Sequence, residues 1–273
     1  MSTSKVAVLG GGVMGETVAA AILAAGWSAE SVTVAEPRAE RRAEIAERHG
    51  VATTATASEA VRGAGVVLVA VKPNQVDSVL AEVREHLEPH VVLVTVAAGL
   101  PAAFYEQRLP EGTPVVRVMP NTPAVVGKGA SAIAPGAHAT EDHLDLAERL
   151  LGATGLVARV AEKDLDAVTA ISGSGPAYVF YVIDALAEAG VLLGLTRDLA
   201  TRLAVATVEG AATMVRETGE HPVVLRERVS SPGGTTVAAL AELDAHGVRA
   251  GILAAARRCR DRSVELGTEA VKG

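Results

Sequence analysis

Between Lys5 and about Val160, short runs of β-branched residues alternate with amphipathic stretches. This is the pattern of a parallel sheet whose strands are joined by crossover helices. The runs predict strands at Val6–Leu9, Ser31–Ala35, Val66–Val71, Val91–Val96 and Val115–Met119. Those beginning at 66 and 91 lack polar alternation, as strands covered on both faces do, so helices are expected above and below them. A doubly wound α/β architecture follows. After Glu162 the period changes to that of long helices following one another, with breaks at Gly194, Gly219, Pro232 and Gly247. Two domains are therefore expected, an α/β domain over 1–162 and an all-helical domain over 163–273.

Two of the predicted helices carry almost no polar face. From Pro176 to Gly194 the charges are Asp184 and Glu188, and from Leu199 to Val215 they are Arg202 and Glu209, with Arg216 just beyond. A helix with so narrow a polar line must be buried on most of its circumference. Some 110 residues offer little other material to cover two such helices, and the simplest cover is the same pair from a second chain. A homodimer is expected.

The 273 residues are 49% hydrophobic, 21% charged and 2% aromatic, which excludes disorder and predicts an aliphatic core. A net charge of −7 gives no general footprint for nucleic acid or an anionic membrane surface. Mean hydropathy is high, at +0.30. The longest uncharged stretch, Ala167 to Ile183, contains Ser172-Gly173-Ser174-Gly175-Pro176, so no membrane span is expected. Met1-Ser2-Thr3-Ser4-Lys5 leads directly into the first strand without a signal peptide's apolar stretch, which predicts a cytoplasmic chain. Cys259 is the only cysteine and the seven histidines form no ligand spacing, so neither an intrachain disulfide nor a metal site is expected.

Leu9 is followed by Gly10-Gly11-Gly12-Val13-Met14-Gly15, a G-x-G-x-x-G between the first strand and a helix running to about Ala25. In that context Gly10 permits the tight turn, Gly12 lets backbone approach a pyrophosphate, and Gly15 allows close helix–strand packing. The helix N-terminus supplies unpaired N–H groups and a positive dipole end. Glu36 closes the second strand, where a carboxylate accepts hydrogen bonds from the adenosine ribose, as NAD binders require. Arg38, with Arg41 and Arg42 behind it, either clamps a 2′-phosphate instead or forms the solvated face of the second helix. NADPH and NADH both remain open.

Four further motifs are more specific: Ala70-Val71-Lys72-Pro73-Asn74, Met119-Pro120-Asn121-Thr122-Pro123, Ser172-Gly173-Ser174-Gly175-Pro176-Ala177-Tyr178 and Ser230-Ser231-Pro232-Gly233-Gly234-Thr235-Thr236. In these, in this order and over nearly its whole length, the chain resembles the pyrroline-5-carboxylate reductases. The resemblance implies an N-terminal Rossmann domain, a helical C-terminal dimerisation domain and NAD(P)H-dependent reduction of 1-pyrroline-5-carboxylate, a cyclic imine, to proline. It also implies helices interleaved between protomers, with a ring of dimers as a further level of assembly. Ala70, Val71, Lys72 and Pro73 would lie along the dinucleotide, Ala97 and Ala98 near the nicotinamide, and Asn121 and Glu162 would belong to the same site. Asn121 reads equally as a turn residue, and Glu162 as one end of a domain-boundary salt bridge. Arg228 departs from the asparagine some relatives carry before the Ser-Pro-Gly-Gly loop, which leaves a cofactor contact there unsupported.

The residues themselves favour an anion at that loop. Ser-Pro-Gly-Gly-Thr-Thr precedes a predicted helix, Val237 to Leu243, so N–H groups at Gly233, Gly234 and Thr235 can converge on a carboxylate beside the hydroxyls of Ser231 and Thr236. A helix cap is the plainer alternative. The resemblance places the ring-nitrogen contact, and with it the catalytic role, on Thr236. Between Asp164 and Gly273 the only lysine is Lys272, so the helical half has no evident internal lysine acid. A cyclic imine can take its proton from solution before hydride arrives, and placement is then most of what the protein must supply. Ser174 fails as a nucleophile because Ser172 stands where G-x-S-x-G requires glycine. Two other readings remain, a reductase of another imine or 2-oxo acid on this scaffold and a dinucleotide sensor without catalysis.

Overall fold

The computed structural model describes residues 4–272; Met1–Thr3, part of the N-terminal reading above, and Gly273 lie outside them. Two compact units divide the chain: Met1–Ser174 together with Cys259–Gly273, and Gly175–Arg258.

The first unit is built on eight strands: β1 Lys5–Leu9, β2 Val32–Ala35, β3 Ala52–Thr54, β4 Ala64–Val69, β5 Val92–Thr95, β6 Val115–Met119, β7 Gly129–Pro135 and β8 Gly155–Arg159. Their order across the sheet is β3-β2-β1-β4-β5-β6-β7-β8. All neighbours are parallel except β6 and β7. The helices of this unit are α1 Val13–Ala24, α2 Ala39–His49, α3 Ala57–Ala60, α4 Pro73–Val83, α5 Ala102–Glu106, α6 Glu141–Leu151 and α7 Leu165–Val168. Successive residues of β1 serve opposite faces, Val6 and Val8 packing with Ile22 and Ile45, Ala7 and Leu9 with Val67 and Leu80. That two-sided burial explains why the central strands lack polar positions.

The five expected strands are present; Val115–Met119 has the expected bounds, and the ends of the other four differ by at most two residues. Three were not expected. Ala52–Thr54 is very short, Gly155–Arg159 has only Leu156-Val157 as a run of large apolar residues, and Gly129–Pro135 is rich in Ala with Gly at its start. Such runs have weak strand preference, and tertiary pairing decides their state. The five expected strands pair in parallel, and the unexpected β7 adds the one antiparallel pairing, with β6.

The contact boundary at 174/175 lies later than the expected 162/163. Leu165 of α7 is buried with Ala132 and Ala134 of β7, so the chain stays packed on the sheet after β8 ends. Ser263 donates to Asp166 at 2.6 Å, tying the end of the last helix to the same unit.

The second unit is helical throughout: α8 Gly175–Leu192, α9 Arg197–Thr218, α10 Pro222–Arg228, α11 Thr235–Ala245 and the first part of α12 Val248–Lys272. Gly190 and Ala200 bring α8 and α9 together, since a Cβ on Gly190 would come within 2.7 Å of the Ala200 Cβ. The rest of both helices lies open: Tyr181 is 79% exposed, Leu192 88%, Leu203 50% and Met214 52%. Apolar surface on this scale belongs to an interface.

The sequence Ser172–Pro176 does not break the helical run as expected. A π-type turn at Thr169–Gly173 carries the chain into α8, where Pro176 occupies the first turn and its missing N–H leaves no bond unmade. By length and composition, the run Glu162–Leu192 contains an 18-residue stretch, of mean hydropathy 1.3, that is apolar enough to cross a membrane. Helices clad by a second subunit meet the same description. In sedimentation velocity at nanomolar concentration the chain is expected to run as a dimer or a multiple of it while active. A stable, fully active monomer would overturn this expectation.

Candidate functional site

A cleft of about 640 Å³ opens at the carboxyl ends of β1, β2 and β4, where doubly wound sheets hold their ligands. Leu9, Gly10 and Gly12 line it from the first turn, Glu36 and Arg38 from the second, and Ala70, Val71 and Lys72 from the turn after β4. Gly10 has φ +105°, and its N–H donates to the Ala35 carbonyl at 2.9 Å. A side chain there would meet the Ala70 carbonyl. Gly12 differs, with an ordinary φ of −69° and open space where a Cβ would stand. It is the one glycine of the motif whose missing side chain leaves room in the cleft. Gly15 packs against the Gly10 carbonyl, as its place in the motif requires.

Gly11 is glycine for another reason, since a Cβ would strike Ile45 and Glu36. Val13 is exposed and Met14 half-buried at the start of α1, beside the cleft lining rather than in it. Pro73 is the first residue of α4, with Lys72 as N-cap.

Glu36 is 4% exposed. Its Oε1 accepts from the Arg38 N–H at 3.1 Å and from Arg38 Nε at 2.8 Å, and Arg38 Nη2 reaches Oε2 at 3.3 Å. Burial pushes the carboxyl up, but the Arg38 bonds and charge and the Gly11 N–H outweigh it and hold the pKa below the ordinary value. Glu36 is therefore ionised at neutral pH. Of the three arginines only Arg38 extends to the cleft, its side chain 68% exposed. Arg42 donates to the carbonyls of Glu36 and Pro37 at 2.9 and 2.8 Å, and Arg41 turns toward the glycine loop. Neither is a plain solvated face.

The remaining expected residues of this unit lie outside that cleft. Ala97 is buried and Ala98 exposed just beyond β5, with the Ala97 N–H directed to Thr95 Oγ1 at 3.3 Å. Asn121, 8% exposed, accepts from the Ala130 N–H at 2.9 Å and donates to the Ser172 carbonyl at 3.0 Å, clamping the Pro-rich loop to β7 and the π-type turn. Glu162 accepts from the Ala102 N–H at 2.6 Å and pairs with Arg117 at 3.2 Å. Its partners both belong to the α/β unit, so this salt bridge lies within that unit and not across a domain boundary.

In the helical unit the Ser231–Thr236 loop leads straight into α11, which begins two residues earlier than expected. Gly233 has φ +69°, and the Gly234 N–H closes a turn onto the Ser231 carbonyl at 2.9 Å. That bond removes Gly234 from the three converging amides, leaving Gly233 and Thr235. Gly234 is the N-cap, and no side chain caps the helix. Thr236 is half-buried in the first turn, and its hydroxyl has no partner among the described residues.

Over residues 162–266 the chain matches the family model described as pyrroline-5-carboxylate reductase dimerisation, and over 5–99 one described as NADP oxidoreductase, coenzyme F420-dependent. A pyrroline-5-carboxylate reductase of Corynebacterium melassecola is 46% identical, the match covering 97% of this chain and 99% of the relative. The chain belongs to the pyrroline-5-carboxylate reductase family. The Arabidopsis thaliana member is 42% identical over 95% of each chain. Among solved structures, the enzyme of Coxiella burnetii superposes with a TM-score of 0.92 at 35% identity, covering 97% of this chain and 99% of its own. The Plasmodium falciparum enzyme, solved with NADP bound, gives 0.87 at 28% identity over 98% and 99%.

The family's dimerisation region begins at 162, where the sequence pattern changes, although the compact units part at 174. Homo-oligomerisation goes with that region and suits the open faces of α8 and α9. Arg228, the departure from some relatives, is paired with Glu220. The far end of the cleft went unread in the sequence. Gln75, Ser78, Val79 and Glu82 line it at helical spacing along one face of α4, and Ala55, Thr56 and Ala57 line it from the turn after β3. The i, i+3, i+4, i+7 spacing was visible, but nothing before folding says that this face of α4 lines the same cleft as the chain following β2 and β3.

Proposed function

We propose that the chain reduces 1-pyrroline-5-carboxylate to proline with NAD(P)H, using the glycine-loop cleft for the dinucleotide and the Ser231–Thr236 loop for the imine. The observation that carries the reading is Gly12, a glycine with relaxed backbone and open space on the wall of a cleft at the carboxyl edge of the sheet. Leu9, Gly10, Gly12, Ala70, Val71 and Lys72 suit a pyrophosphate and its sugars in shape. Ala97 and Ala98 follow the next strand toward the reacting end.

The dinucleotide supplies a hydride to the imine carbon, and a proton from solution completes the secondary amine of proline. In the helical unit the substrate carboxylate suits the amides of Gly233 and Thr235 at the N-terminus of α11, where the helix dipole favours an anion. Ser231 is exposed beside them. Thr236 offers an uncommitted hydroxyl to orient the protonated ring nitrogen, a hydrogen-bonding part rather than an acid's. Initial rates with 1-pyrroline-5-carboxylate and each nicotinamide in turn test the reading. Dinucleotide binding without turnover of any imine would favour a sensor, and faster turnover of another imine or a 2-oxo acid would reassign the substrate.

Cofactor preference rests on Glu36. Its carboxylate repels a 2′-phosphate and holds Arg38 at the same time. Glu36→Ser is expected to raise the NADPH/NADH ratio of kcat/KM by about tenfold, the scale of one charge-assisted bond redistributed. An unchanged ratio would mean that neither residue reads the ribose.

Assembly beyond the dimer into a ring, a cytoplasmic location and the absence of membrane and nucleic-acid partners belong to the same proposal. The ring follows the family resemblance, and the absence of nucleic-acid and membrane partners rests on the charge of −7 and on the cover that a second subunit gives α8 and α9.

A further inference from the structure

Arg41 stands behind the glycine loop, not in the cleft. Its Nε–H donates to the Gly11 carbonyl at 2.9 Å, Nη1 to Glu44 at 2.8 Å, and Nη2 pairs with Glu16. Glu16 lies in the first turn of α1 and also meets Arg48 and, at 2.9 Å, His49 Nε2. The side chains of Glu16, Arg41 and His49 are only 14%, 18% and 15% exposed. Burial pushes the Glu16 carboxyl up, but the bonds from His49, Arg41 and Arg48 outweigh it and keep the pKa below the ordinary value.

Two physical consequences follow. A carboxylate in the first turn of a helix strengthens that helix but opposes any anion placed at its end, so Glu16 works against a bound pyrophosphate unless neutralised. The Gly11 C=O and the Gly12 N–H belong to one trans peptide unit and point in opposite directions. Fixing the carbonyl on Arg41 therefore fixes the amide away from Arg41, and Gly12, like Gly10, lines the cleft.

We infer that Arg41 is a positioning residue for the dinucleotide: it aims the Gly12 N–H by holding the Gly11 carbonyl, and it screens the charge of Glu16. The inference rests on the reading of the glycine loop as the pyrophosphate site. The pyrophosphate is common to both nicotinamides, so Arg41 acts on NADH and NADPH alike, whereas a 2′-phosphate clamp would act on NADPH alone.

The test is titration of NADH and NADPH into the full-length protein and its variants, with steady-state kinetics alongside. Arg41→Met is expected to raise both dissociation constants about tenfold and by the same factor, the scale of one charge-assisted hydrogen bond. At saturating dinucleotide, kcat and the KM for the imine should stay within about twofold, a split that general loosening of the fold would not give. Arg41→Lys, which keeps the charge beside Glu16, is expected to recover part of the loss and carries the test should the methionine variant fold poorly. Unchanged affinities, or a loss confined to NADPH, would overturn the inference. Gly12→Val separates the two failures: normal binding by that variant would sink the site itself, and lost binding there with normal binding in both Arg41 variants would sink only the role of Arg41.

Discussion

Gly12→Val is expected to raise the dissociation constants of NADH and NADPH by ~100-fold or more and to abolish imine reduction at ordinary cofactor concentrations, since each 1.4 kcal/mol of lost contact is tenfold in affinity. The valine Cβ would stand in open space with φ −69°, which any residue adopts, so neither backbone strain nor a clash at Cβ accompanies it. Its isopropyl group would occupy the approach of the pyrophosphate to the loop amides. Thermal melting of the variant should stay close to that of the parent. Gly10, Gly11 and Gly15 make no such clean test, because a Cβ at each strikes neighbouring protein atoms and would disturb the turn first. Isothermal titration with both nicotinamides checks the expectation, and normal affinity for either would show that the cleft is not the dinucleotide site.

The second large effect is expected at Thr236. One hydrogen bond to a charged group is worth roughly 1.5–3 kcal/mol, so Thr236→Ala should lower kcat/KM for the imine by on the order of ten- to a hundredfold. Dinucleotide affinity should barely move. A loss of helix capping would not account for such a result, because Gly234 holds the N-cap position and no side-chain bond closes the start of α11. Thr236→Ser, which keeps the hydroxyl, should retain most of the activity. Should Thr236→Ala keep the parent kcat/KM with 1-pyrroline-5-carboxylate, the threonine does not touch the ring nitrogen.

Legibility in the sequence followed the range of the interactions. The five apolar strands, the glycine motif and the helical second half were all readable, because each is written in a short window by periodicity or by a backbone requirement. The specific motifs from Ala70 to Thr236 carried the family. What escaped was non-local. β7 is Ala-rich and β8 has a run of only two large apolar residues, so their strand state depends on their neighbours in the sheet, and the direction of β7 is set by pairing with β6.

Side-chain commitments divide in the same way. Sequence alone placed Glu36 at the end of the second strand and three arginines after it, but left their roles open. Only the folded chain assigns Arg38 to the Glu36 carboxylate, Arg42 to the carbonyls of Glu36 and Pro37, and Arg41 to Gly11 and Glu16. The choice depends on which atoms α2 brings within about 3 Å of each guanidinium, the reach of a hydrogen bond. Likewise, the composition of α8 and α9 determined that they need cover, whereas the close approach at Gly190 and Ala200 decides which strip they bury against each other and which they leave for a second chain. Local pattern determines elements because secondary structure closes its own hydrogen bonds within a few residues; sites are decided by tertiary structure because their atoms meet from distant parts of the chain.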